Sequence, residues 1–186
     1  MLRYITAPIF LAFFCLAASL LVQPATADAA SAAEIEREAR ATLEQLYSES
    51  SAAKALGQKA EGILVFPSIV KAGFMVGGQY GEGALFENGD VSGYYRTIQG
   101  SYGLQLGFQK YGYALFFMSQ PALDWLEKSK GWELGVGPSI VVMDKGAATS
   151  ASTTTGQAEI YAFFFSQQGL MGGLGIQGTK ITRIEK

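Results

Sequence analysis

The spacing of hydrophobic and polar positions changes near Gly57 and divides the sequence into a helical part and a strand part. Before it, apolar residues from Ile35 to Leu56 recur at three- and four-residue steps, the spacing of one helix face. After it, apolar and polar residues alternate in short runs, which is typical of strands. The pattern predicts an α+β fold: an N-terminal helical segment over about residues 31–56 and one short helix, packed on a curved, mostly antiparallel β-sheet system (a sandwich or a partly closed barrel).

The helix limits are predicted by capping residues. Ser31 can cap the start, with Glu34 at the capping-box position, and Gly57 is a plausible stop. The serines around Ser50 indicate a break into two helices. The second, short helix is predicted over Ser119–Lys130, where Pro121 occupies a first-turn position.

Gly62–Leu85 opens the strand part. Its apolar run reaches Phe66, and Pro67, which has no amide hydrogen, should end or bend the strand. Alternation from Phe74 to Tyr80 then predicts one further strand. Asn-Gly within Glu87–Asp90 predicts a hairpin turn.

The rest of the chain is read as strands around the short helix. A turn is expected at Lys110–Gly112, and the segment Gly146–Gln157, whose apolar side chains are all alanine, is expected to be an exposed loop. The remaining predicted strands are Val91–Gln99, Gly100–Gln109, Tyr113–Met118, Trp132–Gly137, Ser139–Met143, Glu159–Phe165, Leu170–Gln177 and Lys180–Glu185.

Glycines concentrate in the first strands. No helix follows them, so a nucleotide-binding loop is rejected. We interpret the glycines as structural, needed where backbones approach closely or a sheet bends, and we expect a larger side chain at Gly78 to damage folding. The glycine phrase consists of Gly73, Gly77, Gly78, Gly81 and Gly83.

Residues 1–27 are predicted to be a secretory signal peptide. Arg3 gives the positive start, Ile9–Val22 the apolar stretch and Ala25–Ala27 a cleavage signal. Residues 28–186 then form one domain of an exported protein. We expect it in the periplasm, soluble or attached to a membrane surface.

Composition restricts the chemistry. The sequence has no histidine, and its one cysteine, Cys15, lies in the predicted leader. The usual zinc and copper ligands and the commonest general base are therefore missing, so we expect no catalytic residue, no metal site and no cofactor. The formal net charge of −2 does not favour nucleic-acid binding.

Several phrases, in order, resemble the bacterial branch of the SYLF lipid-binding family, which is related to a yeast actin-patch protein. The resemblance begins at Lys54-Ala55 and covers essentially the whole mature chain. Its phrases are GILVFPSIVKAGFMVGGQYGEGAL (Gly62–Leu85), Tyr94-Tyr95, SYGLQLG (Ser101–Gly107), Ala122-Leu123, GWELGVGPSIVV (Gly131–Val142) and GLMGGLGIQGTKITRI (Gly169–Ile184).

The resemblance implies a lipid-binding or membrane-associated module. Eukaryotic relatives bind phosphoinositide membranes and some bind actin, neither of which is expected outside a bacterial inner membrane. The family places lipid contact on an N-terminal amphipathic segment and nearby basic residues, and only Lys54, Lys59 and Lys71 fall in that region here.

The placement of charges along the chain adds two further candidate lipid-binding cations near its end, Lys180 and Arg183. If the first and last strands were close together, the five cations would form one patch for anionic lipid. A solvated strand edge explains the same lysines almost equally well. The alternative functions are a structural or protein-interaction domain of the bacterial envelope, with an envelope protein as partner, and a small outer-membrane β-barrel.

Overall fold

The computed structural model of the chain describes residues 30–74, 76–102, 107–129, 131–143, 158–169 and 178–186. The predicted signal peptide, the segment Gly146–Gln157 and the predicted strand Leu170–Gln177 lie outside the described residues. No helix among the described residues is long and apolar enough to cross a membrane.

The described residues form helices and strands in the predicted order. The helices are α1 (Ala32–Glu49), α2 (Ser51–Gly57) and α3 (Gln120–Lys128). The strands are β1 (Gly62–Phe74), β2 (Val76–Glu87), β3 (Asp90–Tyr102), β4 (Gly107–Phe117), β5 (Trp132–Glu133), β6 (Ile140–Met143), β7 (Ile160–Gly169) and β8 (Lys180–Ile184).

Serine caps begin the first two helices. The Ser31 hydroxyl accepts a hydrogen bond from the Glu34 amide at 3.2 Å, and the Ser50 hydroxyl accepts one from the Ala53 amide at 3.1 Å. Each hydroxyl provides an acceptor for an amide of the first turn, and the Glu34 amide also donates to the Ser31 carbonyl oxygen at 3.0 Å. The predicted cap and the predicted break near Ser50 are both confirmed.

The strands form one sheet in the order β5-β8-β3-β2-β1-β4-β7-β6. All neighbouring strands are antiparallel except β6 and β7, which are parallel. The sheet curls into a half-barrel on which the three helices pack. The predicted α+β class, with helices on a curved and mostly antiparallel sheet, is therefore confirmed.

Each face of the sheet carries its own hydrophobic core. We call them the α1 face and the α3 face after the helix that covers each. The α1 face buries Ile63, Val65, Ala84, Phe86, Ala114, Phe116, Tyr161, Phe163 and Phe165 against α1 and α2. The α3 face buries Leu64, Phe66, Ile69, Leu85, Tyr95, Tyr113, Leu115, Phe117, Ile160, Ala162 and Ile181 around α3 and Trp132.

A β-bulge at Pro67 lets β1 continue where the sequence predicted an end or a bend. Pairing with β2 shifts between Val65 and Ser68, and pairing with β4 shifts between Phe66 and Ile69. Because the bulge holds one extra residue, Phe66 and Ile69 both lie on the α3 face although three positions separate them. Beyond the bulge, Val70 consequently lies on the α1 face and Lys71 on the α3 face.

Four predicted strand limits are wrong. The predicted strand Gly100–Gln109 is divided between β3, which ends at Tyr102, and β4, which begins at Gly107. The alternation over residues 74–80 crosses a hairpin, since Phe74 pairs with Val76 and Gly73 with Gly77. The predicted turn at 110–112 lies inside β4, where a bulge in β7 near Ser166 (φ 53°) takes up the irregularity. The predicted strand 132–137 is limited to Trp132–Glu133. Glycine-rich alternation continues on both sides of a reversal, so the pattern alone does not show where a strand ends.

The other predicted hairpin is confirmed. Asn88 and Gly89 have φ values of 53° and 90° and join β2 to β3. Asparagine and glycine tolerate this left-handed backbone conformation, which matches the twist of the flanking strands.

The central strands β1–β4 have two unlike ends. The closed end, residues 62–66, 83–87, 93–95 and 113–117, contains buried apolar side chains on both faces. The open end, residues 69–73, 77–81, 97–100 and 107–111, carries exposed apolar side chains on its α1 face.

Candidate lipid-binding surface

The five predicted lipid-binding cations are spread over the molecule. Lys54 lies in α2 and Lys59 just after it, Lys71 lies in β1, and Lys180 and Arg183 lie in β8. None of them forms an ion pair with a described residue. Arg183 donates from Nη2 to the Ser92 carbonyl oxygen at 3.0 Å.

These cations do not form the single patch expected from the sequence. That patch required β1 and β8 to be close together, but β2 and β3 lie between them. The faces differ as well. Lys180 lies on the α1 face beside Ile98, whereas Lys71 beside Gln79 and Arg183 beside Tyr95 lie on the α3 face. The single patch was expected only if the first and last strands were close together, and the strand order does not meet that condition.

The structure instead brings together a row of residues of which the sequence analysis had named only Lys180 as a lipid-binding residue. The row crosses five neighbouring strands on the α1 face, with each residue directly opposite the next. We call it the exposed row. From β8 to β4 it consists of Lys180, Ile98, Tyr80, Val70 and Lys110.

The apolar members of the exposed row are accessible to solvent. Tyr80 is 49% exposed, Val70 41% and Ile98 37%. Phe108 lies on the same face, two residues along β4 from Lys110, and is 56% exposed. It pairs with exposed Ala72 of β1. We call Val70, Ala72, Gly78, Tyr80, Ile98, Gly100 and Phe108 the open-end patch. Gly78 and Gly100 give it a flat centre.

On the opposite face of the same strand segments, polar side chains are buried. Gln79 is 5% exposed and Gln109 4%, and both flank half-buried Lys71 in the pairing register. The Tyr111 hydroxyl donates to Gln79 Oε1 at 2.6 Å, and Gln79 Nε2 donates to the Thr179 hydroxyl at 3.2 Å. Polar groups therefore point inward and apolar groups outward, the reverse of the usual arrangement in water.

Burial raises the pKa of Tyr111 to about 12, because the phenolate would lose its hydration, although the hydrogen bond with Gln79 partly opposes the shift. Burial also raises the pKa of Tyr80 to about 12, and its hydrogen bond to Glu82 adds to the effect. Both hydroxyls stay protonated and available as donors at neutral pH.

Cations outnumber free carboxylates around the open-end patch. Arg96, Lys110 and Lys180 are exposed on the α1 face and form no ion pair with described residues. Glu82 is already engaged: Lys186 Nζ lies 2.9 Å from its Oε2, and the Tyr80 hydroxyl donates to its Oε1 at 2.7 Å. Glu133 is the nearby opposing charge, directly across from Lys180.

The predicted structural role of the glycine phrase holds at some positions and not at others. A Cβ at Gly83 would lie 2.2 Å from the Val65 carbonyl oxygen, and one at Gly81 2.9 Å from that of Ser68. At Gly78 the nearest atom, the Gln99 carbonyl oxygen, would be 3.5 Å away, an ordinary contact. The close approach expected at Gly78 is therefore wrong, because this glycine lies on the exposed face.

A cavity of about 340 Å³ between α1, α2 and the β2–β3 turn is a weaker candidate. Its cation, Arg40, is already occupied: it donates to the Gly89 carbonyl oxygen at 3.0 Å and to Glu36 at 2.9 Å, and it lies 5.0 Å above the Phe86 ring. A ligand there would have to displace these contacts.

A comparison with known protein families gave a match to the C-terminal part of the chain. The family described as "Ysc84: Las17-binding protein actin regulator" matches residues 98–186. This family carries the SYLF domain, so the resemblance deduced from the sequence is confirmed for residues 98–186. Comparison with curated proteins gave no match.

Proposed function

We propose that this chain is an exported, non-catalytic module that binds anionic lipid at a membrane surface in the periplasm. The family match supports a binding module of the lipid- and actin-related kind in general. The lack of histidine, and of cysteine other than Cys15, supports binding in place of catalysis.

The observation that carries the proposal is the number of exposed cations without an internal ion pair. In the part of the chain that the structure describes, Lys54, Lys59, Lys110 and Lys180 are exposed and unpaired. Each cation near an anionic bilayer contributes about 1 kcal/mol. Since these lysines have no internal ion pair to break, a few of them suffice for reversible attachment.

Vesicle co-sedimentation tests the lipid part. We expect binding to vesicles of phosphatidylglycerol and phosphatidylethanolamine at low salt, weaker binding at high salt, and little binding to phosphatidylcholine. Salt weakens binding because it screens exposed charges beyond a distance of roughly 10 Å at moderate ionic strength. Binding that is the same for charged and neutral vesicles would refute the proposal.

Matched charge reversals sharpen this test. Lys110→Glu combined with Lys180→Glu should weaken binding to anionic vesicles. Arg37→Glu combined with Lys128→Glu makes the same charge change at cations on the helices that already have carboxylate partners. If the two doubles behave alike, only total charge matters. A protein with no vesicle binding but a stable envelope partner would favour the alternative, a protein-interaction domain.

Export has its own test. Chain isolated from the periplasm should begin at about Asp28, as determined by amino-terminal sequencing. A chain that retains Met1 and stays in the cytoplasm would contradict the predicted leader.

A further inference from the structure

The open end of the sheet has its apolar side chains on the wrong side for a protein surrounded only by water. The exposed row presents Val70, Tyr80 and Ile98 outward, and Phe108 stands beside them at 56% exposed. Single exposed apolar residues are ordinary, but a continuous group on one sheet face marks a contact surface.

The strand pairing fixes which side chains face outward, and the opposite assignment of the two faces would be less stable. The opposite face of the same segments holds a hydrogen-bonded set in which Tyr111, Gln79 and Thr179 satisfy one another in a buried setting. Reversing the faces would expose this set and bury Lys110 and Lys180, at the cost of desolvating two charges. The outward apolar groups are therefore a stable property of the fold.

The three helices of the described residues do not cover this surface. On the α1 face, α1 and α2 pack over the closed end, where Val65, Ala84 and Phe116 are buried. The cover stops at Glu82, which is tied to Lys186 Nζ at 2.9 Å; Lys186 also donates to the Ala30 carbonyl oxygen. Beyond this tie, Tyr80 and Val70 are open to solvent.

The charges around the patch favour one occupant. Lys180 and Lys110 end the exposed row on its two sides, and Arg96 lies one pairing row away on the same face. Apolar and aromatic side chains bordered by cations suit the boundary region of an anionic bilayer, where rings enter the acyl border and long cationic side chains reach the headgroups. Tyr80, with an apolar ring and a polar hydroxyl, suits that depth.

The same charges disfavour a second copy of the chain on this surface. Because the exposed row has a lysine at both ends, two copies laid face to face in either direction would bring lysine against lysine. Glu82, which could balance them, is occupied by Lys186 and Tyr80. Glu133 opposes Lys180 at one end only.

We propose that the open-end patch is the membrane-contacting surface, with Val70, Tyr80, Ile98 and Phe108 inserted at the interface of an anionic bilayer and Lys110, Arg96 and Lys180 on its headgroups. This inference rests on the proposed lipid-binding function and adds where the bilayer sits: against the uncovered α1 face, on the side of the sheet opposite α3.

Site-directed fluorescence tests the orientation. The exported chain, expected to begin at about Asp28, supplies a cysteine-free background, since Cys15, the one cysteine of the sequence, lies in the predicted leader. An environment-sensitive dye attached to Phe108→Cys should shift to the blue with phosphatidylglycerol-containing vesicles. The matched control is dye on Val136→Cys, which should not shift. Val136 is 58% exposed, and its carbonyl oxygen accepts a hydrogen bond from Trp132 Nε1, which belongs to the α3-face core.

A second pair of variants measures the energetic share of the patch. Phe108→Ser should weaken partitioning to anionic vesicles by roughly tenfold, since burying an aromatic ring is worth at least that factor. Val136→Ser, with almost the same exposure, should leave it unchanged. Unchanged melting temperatures for both variants would show that the loss is one of contact.

The outcomes separate the two proposals. If the wild-type chain binds anionic vesicles, but dye at position 108 does not shift and Phe108→Ser binds normally, the orientation is wrong and lipid binding stands. If the wild-type chain does not bind, both fail. If dye at position 108 shifts with protein concentration in the absence of vesicles, the patch is a contact between copies and the orientation is overturned.

Discussion

The closed and open ends of β1–β4 are built from the same strands but follow opposite rules. At the closed end, residues such as Phe116 and Leu64 are fully buried, one on each face, beneath helices. At the open end, glutamine and threonine are buried on one face while Tyr80 and Phe108 are exposed on the other. The closed end therefore stabilises the fold. The exposed apolar side chains of the open end are those that we propose contact a bilayer.

The largest effect should come from removing a ring at the closed end. Phe116, fully buried, packs against Phe163 with ring centroids 5.2 Å apart and near Tyr47 at 6.4 Å. Phe116→Ala should cost roughly 3–5 kcal/mol, the usual range for a buried phenylalanine. Phe108→Ala at the open end should cost less than about 1 kcal/mol. Urea unfolding measures the stability of both variants. Equal losses of stability would contradict the difference between the closed and open ends.

Added volume should discriminate the ends nearly as well. Gly83→Val places a Cβ against the Val65 carbonyl oxygen, which cannot move without breaking the ladder, so a loss of about 2–3 kcal/mol is expected. Gly78→Val meets only an ordinary contact and should change stability by less than about 1 kcal/mol. Unfolding of the two variants side by side checks this, and a destabilised Gly78→Val would restore the interpretation made from the sequence.

A smaller loss of stability is expected when the buried hydrogen bonds among Tyr111, Gln79 and Thr179 are disrupted. Tyr111→Phe removes the donor to Gln79 Oε1 and leaves a buried acceptor unpaired, which costs about 1–3 kcal/mol. Tyr80→Phe removes a bond to Glu82 in an exposed setting and should cost less than about 0.5 kcal/mol. Chemical denaturation of both proteins is the measurement. If Tyr111→Phe leaves the free energy of unfolding unchanged, these buried hydrogen bonds contribute little to the stability of the open end.

The smallest expected effect is a dependence on alkaline pH. Burial raises the pKa of Tyr111 from 10.0 to about 12, so the folded state holds this proton more tightly than the unfolded state does. The corresponding stability is fully present below pH 10 and is lost as pH rises from 10 towards 12. Melting temperatures should be level up to about pH 9 and then fall, less steeply in Tyr111→Phe. An identical slope in that variant would contradict the assignment.

Much of the fold was predictable because it depends on local chemistry. Ser31 and Ser50 cap helices as expected, and Asn88-Gly89 forms the predicted turn, since each depends on neighbours within a few residues. The reversal between Phe74 and Val76 was missed because the alternation continues through it. Because glycine and valine occur on both sides of the hairpin, the pattern fits one continuous strand as well as it fits two paired strands.

The candidate surface could not be predicted for a different reason. Its row joins Val70, Tyr80, Ile98 and Lys180 from four strands, and their order in the sheet is set by long-range pairing. The sequence analysis grouped Lys71 with Lys180 on the condition that the first and last strands were close together, whereas β2 and β3 separate them. The alternation of β2 did show Gly78 and Tyr80 on one side, but which side the helices would cover depends on packing far along the chain.

The extra residue at Pro67 gives β1 one site where the chain can become shorter without consequence for its neighbours. Elsewhere in the strand, losing a residue would turn every later side chain to the other face of the sheet. At the bulge, loss of Pro67 restores regular pairing and leaves Ile69, Val70 and Lys71 where they are, and proline gives up no backbone donor. We therefore expect β1 to tolerate deletion of Pro67, with the two faces of the open end keeping their chemistry.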